Sequence, residues 1–177
     1  MNRHRALKWT TLTLALAASL WLAATSMAGP RQDAANANLA FNKLQTLVGH
    51  WEAKTDKGTV STTFRLVSGG STLLETMDMP GGNEMITAYY LDQNRLLLTH
   101  YCESGNQPRM QASSFDPKSN RIDFQFLDAT NLPNPDAAHM HQVSITFGTS
   151  GEVMESWTFY KGGKAGSTAP LSYHRVD

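Results

Sequence analysis

The stretch Glu84 to Cys102, EMITAYYLDQNRLLLTHYC, contains two runs rich in β-branched, aromatic and leucine residues. The runs cover 84–91 and 95–102, and Asp92-Gln93-Asn94 separates them. Residues that favour a pleated surface, interrupted by residues that favour turns, are typical of two antiparallel strands joined by a tight connection. This stretch therefore predicts a β-hairpin.

The same pattern continues on both sides of this hairpin. Short β-type runs alternate with breaks rich in Gly, Pro, Asn and Asp, which predicts an up-and-down antiparallel sheet. The predicted strands are 50–55, 59–67, 71–77, 84–91, 95–102, 109–115, 121–127, 139–147, 152–160 and 170–176.

A flat sheet of about ten strands would leave two exposed edges, whereas closure removes them and encloses an interior. We therefore predict an all-β, antiparallel up-and-down barrel. The alternative is a two-sheet sandwich, which the same strand spacing permits.

One helix is predicted before the first strand. Ala40, Phe41, Leu44 and Leu47 fall at helical spacing, and Gly49 follows where a glycine would end the helix. We expect it to plug or cap one end of the barrel. Residues 29–38 lack an apolar period and predict a disordered lead-in, so the barrel domain spans 39–177.

Residues 1–28 have the pattern of a signal peptide. Arg3, Arg5 and Lys8 precede an apolar run, and Ser26-Met27-Ala28 forms a small-x-small cleavage site. The sequence thus predicts an exported protein, periplasmic or secreted, with no stable membrane insertion after cleavage.

Net charge and cysteine content indicate which kinds of partner and which source of stability to expect. The chain has 15 basic and 15 acidic residues, and loss of three leader cations leaves a net charge of about −3, which does not indicate a nucleic-acid partner. The one cysteine, Cys102, has no intramolecular disulfide partner. We expect a monomer or homodimer that is stabilised by its core.

The segment Leu98-Thr99-His100-Tyr101-Cys102, followed by Gly105-Asn106-Gln107-Pro108-Arg109-Met110, resembles the signature of a family of exported bacterial proteins of unknown function. Leu47-Val48-Gly49-His50-Trp51-Glu52 resembles the opening of that family. The similarity covers roughly Phe41 to Val176. It implies a calycin-like or lipocalin-like barrel and no established activity.

More remotely, a helix followed by Gly49-His50-Trp51 and ten strands is similar to the nitrobindin-like haem barrels. Those proteins hold ferric haem through a histidine near the end of the last strand. The resemblance implies haem as a cofactor and His174 as its axial ligand.

His100 and Cys102 lie two residues apart in a predicted strand, so they share a face, with Tyr101 on the other. If that face lines the cavity, a soft ligand pair or an activated thiol is possible. Alternatively, His100 is a hydrogen-bonded core residue and Cys102 a small buried apolar one.

His139 and His141 repeat this spacing, and neutral imidazole is a common metal ligand. A metal site needs a third or fourth donor, for which the candidates are His50, His100 and Cys102. The alternative is a strand start with solvated histidines.

The turn Gly105 to Arg109 is a candidate for binding a polar group at the mouth of the barrel. Asn106 and Gln107 offer amides, and Arg109 offers a planar cation that would orient a carboxylate or phosphate. Alternatively, Asn106 adopts a left-handed turn and Arg109 pairs with a carboxylate such as Glu75, Glu84 or Glu155.

Glu75, Tyr89 and Trp157 are candidates for the cavity lining, because ligand pockets combine apolar and aromatic walls with a few polar groups. Glu155 and Tyr90 join them, whereas Trp51 is expected to pack across the closed end. No nucleophile elbow, phosphate loop, dinucleotide fingerprint or zinc-protease motif occurs in the sequence.

The leading hypothesis is an exported barrel that holds a mostly apolar small molecule. The alternatives are an enzyme that uses His100, Tyr101 and Arg109 in its cavity, a haem-binding barrel with His174, and an interaction module of the cell envelope with a filled interior.

Overall fold

A computed structural model describes residues 34–166 and 170–176. The predicted signal peptide and the first part of the predicted lead-in lie outside these residues. One α-helix and eleven β-strands make up the regular structure of the described chain, with a short 3-10 turn at Ser68–Gly70. Within these residues, no helix has the length and apolar character needed to cross a membrane.

Helix α1 runs from Ala34 to Gln45, so the predicted lead-in was wrong for residues 34–38. The physical reason is packing against the barrel, since the side chains of Ala37 and Ala40 are fully buried. The chain then turns through Thr46 and Leu47 before Gly49, which has a positive φ of 131° and opens the first strand.

The strands agree closely with the sequence prediction. Their bounds are β1 Gly49–Thr55, β2 Gly58–Val67, β3 Thr72–Asp78, β4 Glu84–Asp92, β5 Arg95–Tyr101, β6 Gln107–Asp116, β7 Arg121–Thr130, β8 His139–Phe147, β9 Val153–Lys161, β10 Lys164–Ala165 and β11 Leu171–Arg175. The two-residue β10 was not predicted.

The sheet closes on itself as an antiparallel barrel of ten strands, and β10 is an added hairpin partner of β9. Neighbouring strands from β1 to β8 pair in sequence, β8 pairs with β9, and β11 pairs with both β9 and β1. These last pairings complete the ring and exclude the two-sheet sandwich. The closed all-β barrel with one preceding helix is therefore confirmed, and it is consistent with a calycin-like fold.

Helix α1 packs at one end of the barrel. The Asn36 side-chain amide donates to the Phe115 carbonyl over 3.3 Å, and the Lys43 ammonium lies 4.8 Å from the Phe147 ring centroid. Phe115 and Phe147 stand at the C-terminal ends of β6 and β8, so the helix covers that end. The buried Trp51 indole donates to the Leu47 carbonyl there, as expected for a residue at the closed end.

Alternate side chains of each strand point inwards, as the period of two requires. On β5, Leu96, Leu98 and His100 are buried, whereas Thr99 and Tyr101 are more exposed. The interior is mainly aliphatic and aromatic, but it also holds polar side chains. The buried ones among these are Thr62, Glu75, Thr87, His100 and Glu155, and they decide the chemistry of the site.

Candidate functional site

A cavity of about 640 Å³ opens at the barrel end opposite helix α1. Its rim comes from the β1–β2 turn, the β3–β4 loop and the β5–β6 loop, and its wall comes from inward-facing strand residues. The lining residues are Thr55, Asp56, Lys57, Val60, Met77, Met79, Pro80, Gly81, Asn83, Met85, His100, Glu103, Met140, Trp157 and Leu171.

The wall of this cavity is largely apolar, and methionines dominate it. Met77 and Met85 are direct partners across β3 and β4 and are buried. Met79 and Met140 are partly buried against the core. Because methionine is unbranched and polarisable, its side chain adjusts to irregular apolar shapes. A wall of this composition suits a small apolar molecule.

His100 is the buried polar residue of the wall. Its side chain is 2% exposed, and its Nδ1 lies 3.0 Å from the Thr87 hydroxyl oxygen. Its Nε2 has no hydrogen-bond partner among the atoms that the structure describes. Burial lowers the pKa of His100 to about 4, so the imidazole is neutral at neutral pH.

Trp157 forms the wall beside His100. The two ring centroids are 4.7 Å apart with a tilt of 42°. The indole Nε1 donates to Glu155 Oε2 over 3.2 Å, which fixes the ring orientation. One indole ring and one imidazole ring therefore occupy neighbouring positions on the cavity wall.

Two buried carboxyl groups stand behind these rings. Glu75 accepts hydrogen bonds from Tyr89 at 2.9 Å and from Thr62 at 3.1 Å, yet its burial raises its pKa to about 7. Burial and the nearby Glu75 raise the pKa of Glu155 well above its usual range. Within the described part of the chain, Glu155 Oε1 and the Tyr173 hydroxyl have no hydrogen-bond partner. The interior thus disfavours additional negative charge.

The rim is polar and carries both signs of charge. Asp56, Lys57 and Glu103 line it, and the Asn83 amide donates to Glu103 over 2.7 Å. This contact ties the β3–β4 loop to the β5–β6 loop. The wide apolar chamber therefore opens to solvent through a polar mouth.

Tyr101 and Arg109 lie on the outer face and do not share the cavity with His100. Tyr101 is 50% exposed. Arg109 pairs in register with Thr99, another outward residue of β5, and its guanidinium forms a two-point contact with Asp128, with Nε 2.6 Å from Oδ1. The proposed catalytic set of His100, Tyr101 and Arg109 is therefore not assembled, because alternation places its members on opposite faces.

The polar groups of the β5–β6 turn form hydrogen bonds with other groups of the protein. The Cys102 amide donates to the Asn106 carbonyl, and the Asn106 side chain donates to the Ala138 carbonyl over 2.8 Å. The Gln107 carboxamide oxygen accepts from Thr130. The left-handed position is Gly105, with φ 79°, and not Asn106 as expected. Cys102 is a buried free thiol outside the cavity lining.

His139 and His141 bond to each other instead of lining the cavity. His139 Nε2 lies 3.0 Å from His141 Nδ1, and both rings pack against Phe126 and Tyr160. The β8–β9 ladder shifts register at His141, and Met140 between the histidines reaches the cavity. Across residues 34–166 and 170–176, no three or more His, Cys, Asp or Glu residues group in a way that could hold a metal.

His174 is exposed and pairs with Glu52 on β1, whereas its neighbour Tyr173 points inwards. A haem in the interior would not meet His174. The residues present therefore do not fit the haem ligation that the remote resemblance implies.

Sequence reasoning identified five interior residues of this region: His100, Trp157, Glu75, Tyr89 and Glu155. It missed Thr87 and the methionines of the wall. Their signal was their spacing, since Met85 and Thr87 occupy the same alternate positions of β4 as Tyr89. No family model matches this chain, and no curated protein matches it.

Proposed function

We propose that this protein is an exported binding protein whose barrel holds one small, largely apolar molecule in the cavity. The observation that supports this most strongly is the apolar, methionine-rich wall of the cavity, which also contains the neighbouring rings of His100 and Trp157. Small-molecule sites typically combine a concave apolar lining with a few placed polar groups.

The dimensions suit a molecule of one or two rings, or a short acyl chain. A volume of about 640 Å³ falls inside the usual range of about 300–1,000 Å³ for ligand pockets. An interaction module of the cell envelope would have a filled interior, so the open chamber favours the binding protein over that alternative. An apolar molecule inside the chamber would bury its apolar surface against this wall, which favours binding.

The setting of this activity is part of the proposal. The leader-like pattern of residues 1–28 supports a periplasmic or secreted protein. A protein outside the cytoplasm would meet its ligand in the envelope or the medium. We expect it to act as a monomer or homodimer.

Titration with the neutral fluorescent probe N-phenyl-1-naphthylamine tests the proposal. We expect saturable binding of one probe per chain. Met85→Gln keeps the side-chain length but places an amide in the wall, and should weaken binding about tenfold, because an unpartnered buried amide costs about 1–3 kcal/mol.

Met154→Gln is the matched control, since Met154 lies 38% exposed on β9 and outside the cavity lining. Its affinity for the probe should equal that of the wild type, with thermal unfolding confirming that both variants fold. Absence of saturable binding, or equal loss in both variants, would contradict the proposal.

A further inference from the structure

Three methionines meet at the β3–β4 hairpin, on the wall of the cavity. Met77 on β3 is the direct cross-strand partner of Met85 on β4. The Met79 amide donates to the Asn83 carbonyl over 3.3 Å, which extends this ladder by one residue and places Met79 on the same face as Met77. All three methionines line the cavity. The hairpin therefore directs three thioether groups into one part of the chamber.

The geometry of a hairpin brings these three side chains within reach of one another. Directly opposite residues have Cβ atoms about 4.5–5.5 Å apart, and diagonal neighbours lie about 7–8 Å apart. Met85 is opposite Met77 and diagonal to Met79. Each methionine has an unbranched side chain with several rotatable bonds, so the three sulfur atoms can converge on one point. A single small ion can therefore contact all three.

Thioether sulfur is a soft, neutral ligand. Soft ligands such as methionine select Cu(I), whereas Mg²⁺, Ca²⁺ and Mn²⁺ prefer oxygen ligands. In the part of the chain that the structure describes, no three or more His, Cys, Asp or Glu residues form a group suited to a metal. The three methionines therefore match a soft ion better than a hard one.

The surroundings of the three methionines favour a cation of low charge. Glu75 is a buried carboxyl group that lies two residues before Met77, on the same face of β3. At the rim, the carboxyl groups of Asp56 and Glu103 outnumber the ammonium group of Lys57. A monovalent ion also loses less hydration free energy than a divalent ion on entering an apolar chamber, because this energy grows with the square of the charge.

We propose that Met77, Met79 and Met85 form a binding site for one Cu(I) ion, which their three thioether sulfur atoms hold. This inference goes beyond the proposed function, because it assigns to the cavity wall a second ligand that is not an apolar molecule.

Competition for Cu(I) between the protein and the chromogenic chelator bicinchoninate, in the absence of oxygen, tests the site. We expect the wild type to remove one equivalent of Cu(I) from the chelator. Met77→Leu/Met85→Leu keeps the apolar volume of the wall, which protein cores tolerate, but leaves one thioether of the three. It should weaken Cu(I) binding by at least about tenfold, since losing even an outer partner of a metal ligand costs about 10–100-fold in affinity.

Two matched variants serve as controls. Met110→Leu/Met154→Leu removes two sulfur atoms outside the cavity lining, one from a buried position and one from an exposed position. Cys102→Ser removes the buried free thiol, which is also a soft ligand. Both variants should bind Cu(I) as tightly as the wild type, with thermal unfolding confirming that every variant folds. An equal loss in either control would overturn the assignment.

X-ray absorption spectroscopy of the Cu(I) complex identifies the ligand atoms without any substitution. We expect three sulfur neighbours and no nitrogen neighbour around the ion. Nitrogen neighbours, as an imidazole ligand would give, would overturn the thioether site.

The wild type's response to two probes separates this inference from the proposed function. Failure to bind Cu(I), together with saturable binding of N-phenyl-1-naphthylamine, would overturn the Cu(I) site and leave the proposed function standing. Binding of Cu(I) without binding of the fluorescent probe would support the site and contradict the proposed function.

Discussion

Glu75 and His100 lie on the same inward-facing row of the barrel, separated only by Thr87, which is the direct cross-strand partner of both. Burial moves their proton affinities in opposite directions relative to ordinary values, since it raises the pKa of Glu75 and lowers that of His100. Both groups are consequently biased towards their neutral forms.

Replacing Glu75 should change the pH dependence of stability. Folded Glu75 has a pKa of about 7 against the ordinary 4.5, so the folded state binds this proton more tightly and stability falls as pH rises through that interval. The unfolding free energy of Glu75→Gln, measured relative to that of the wild type, should therefore rise between pH 4.5 and 7. The expected rise is on the order of 3 kcal/mol. Urea unfolding at several pH values measures this.

The matched control is Glu84→Gln, which removes an exposed carboxyl group from the start of β4. Its stability difference from the wild type should change little over the same pH range. A Glu75→Gln variant whose stability difference from the wild type does not change with pH would contradict the buried, proton-binding role.

Replacing His100 should have the opposite effect. Its folded pKa of about 4 lies below the ordinary 6.5. The stabilisation that the neutral, buried imidazole gives to the fold is therefore complete above pH 6.5 and is lost as pH falls towards 4. His100→Phe keeps a ring beside Trp157 but cannot be protonated. Relative to the wild type, its unfolding free energy should rise as pH falls through this window.

The exposed His174→Phe is the control for His100→Phe, and the same urea series serves both. If the two histidine variants show the same pH dependence, His100 is not buried as described.

Trp157→Phe should destabilise the barrel through Glu155. The substitution removes the indole donor to Glu155 Oε2 in the interior, where Oε1 already has no partner among the described residues. We expect a loss of about 2 kcal/mol from the unpaired acceptor and the smaller ring. Thermal unfolding of Glu155→Leu/Trp157→Phe should show partial recovery, and a further loss in the double variant would contradict this account.

Arg109→Gln should have little effect on stability. The ion pair of Arg109 with Asp128 lies on the outer face, with side chains 42% and 48% exposed. Exposed pairs contribute about 0–1 kcal/mol and weaken as salt screens them. Probe affinity should equal that of the wild type, and a large loss of binding would show that Arg109 acts in the cavity.

Most of the fold followed from local sequence chemistry. Turn residues such as Asp92-Gln93-Asn94 mark each break, and strand propensity fills the intervals, so strand positions were predicted within a few residues. Closure was predicted from the need to remove edges. The helical start at Ala34 was missed, because its stabilisation comes from packing against the barrel, which a local pattern does not contain.

The site was only partly predictable from the sequence. The alternation of side chains along one strand is a local property, whereas the way in which side chains from several strands come together is not. The spacing of His100 and Tyr101 correctly placed them on opposite faces, yet it could not tell which face was inside. The register shift at His141 and the inward position of Met140 depend on pairing with β9, which is not evident from β8 alone. The cavity wall therefore emerged only from the three-dimensional arrangement.

A crystal structure of the protein with N-phenyl-1-naphthylamine bound tests the central claim most directly. The account predicts the rings of the probe among the methionines and Trp157 in the barrel cavity. A cavity filled by protein side chains, or a ligand bound only on the outer surface, would contradict it.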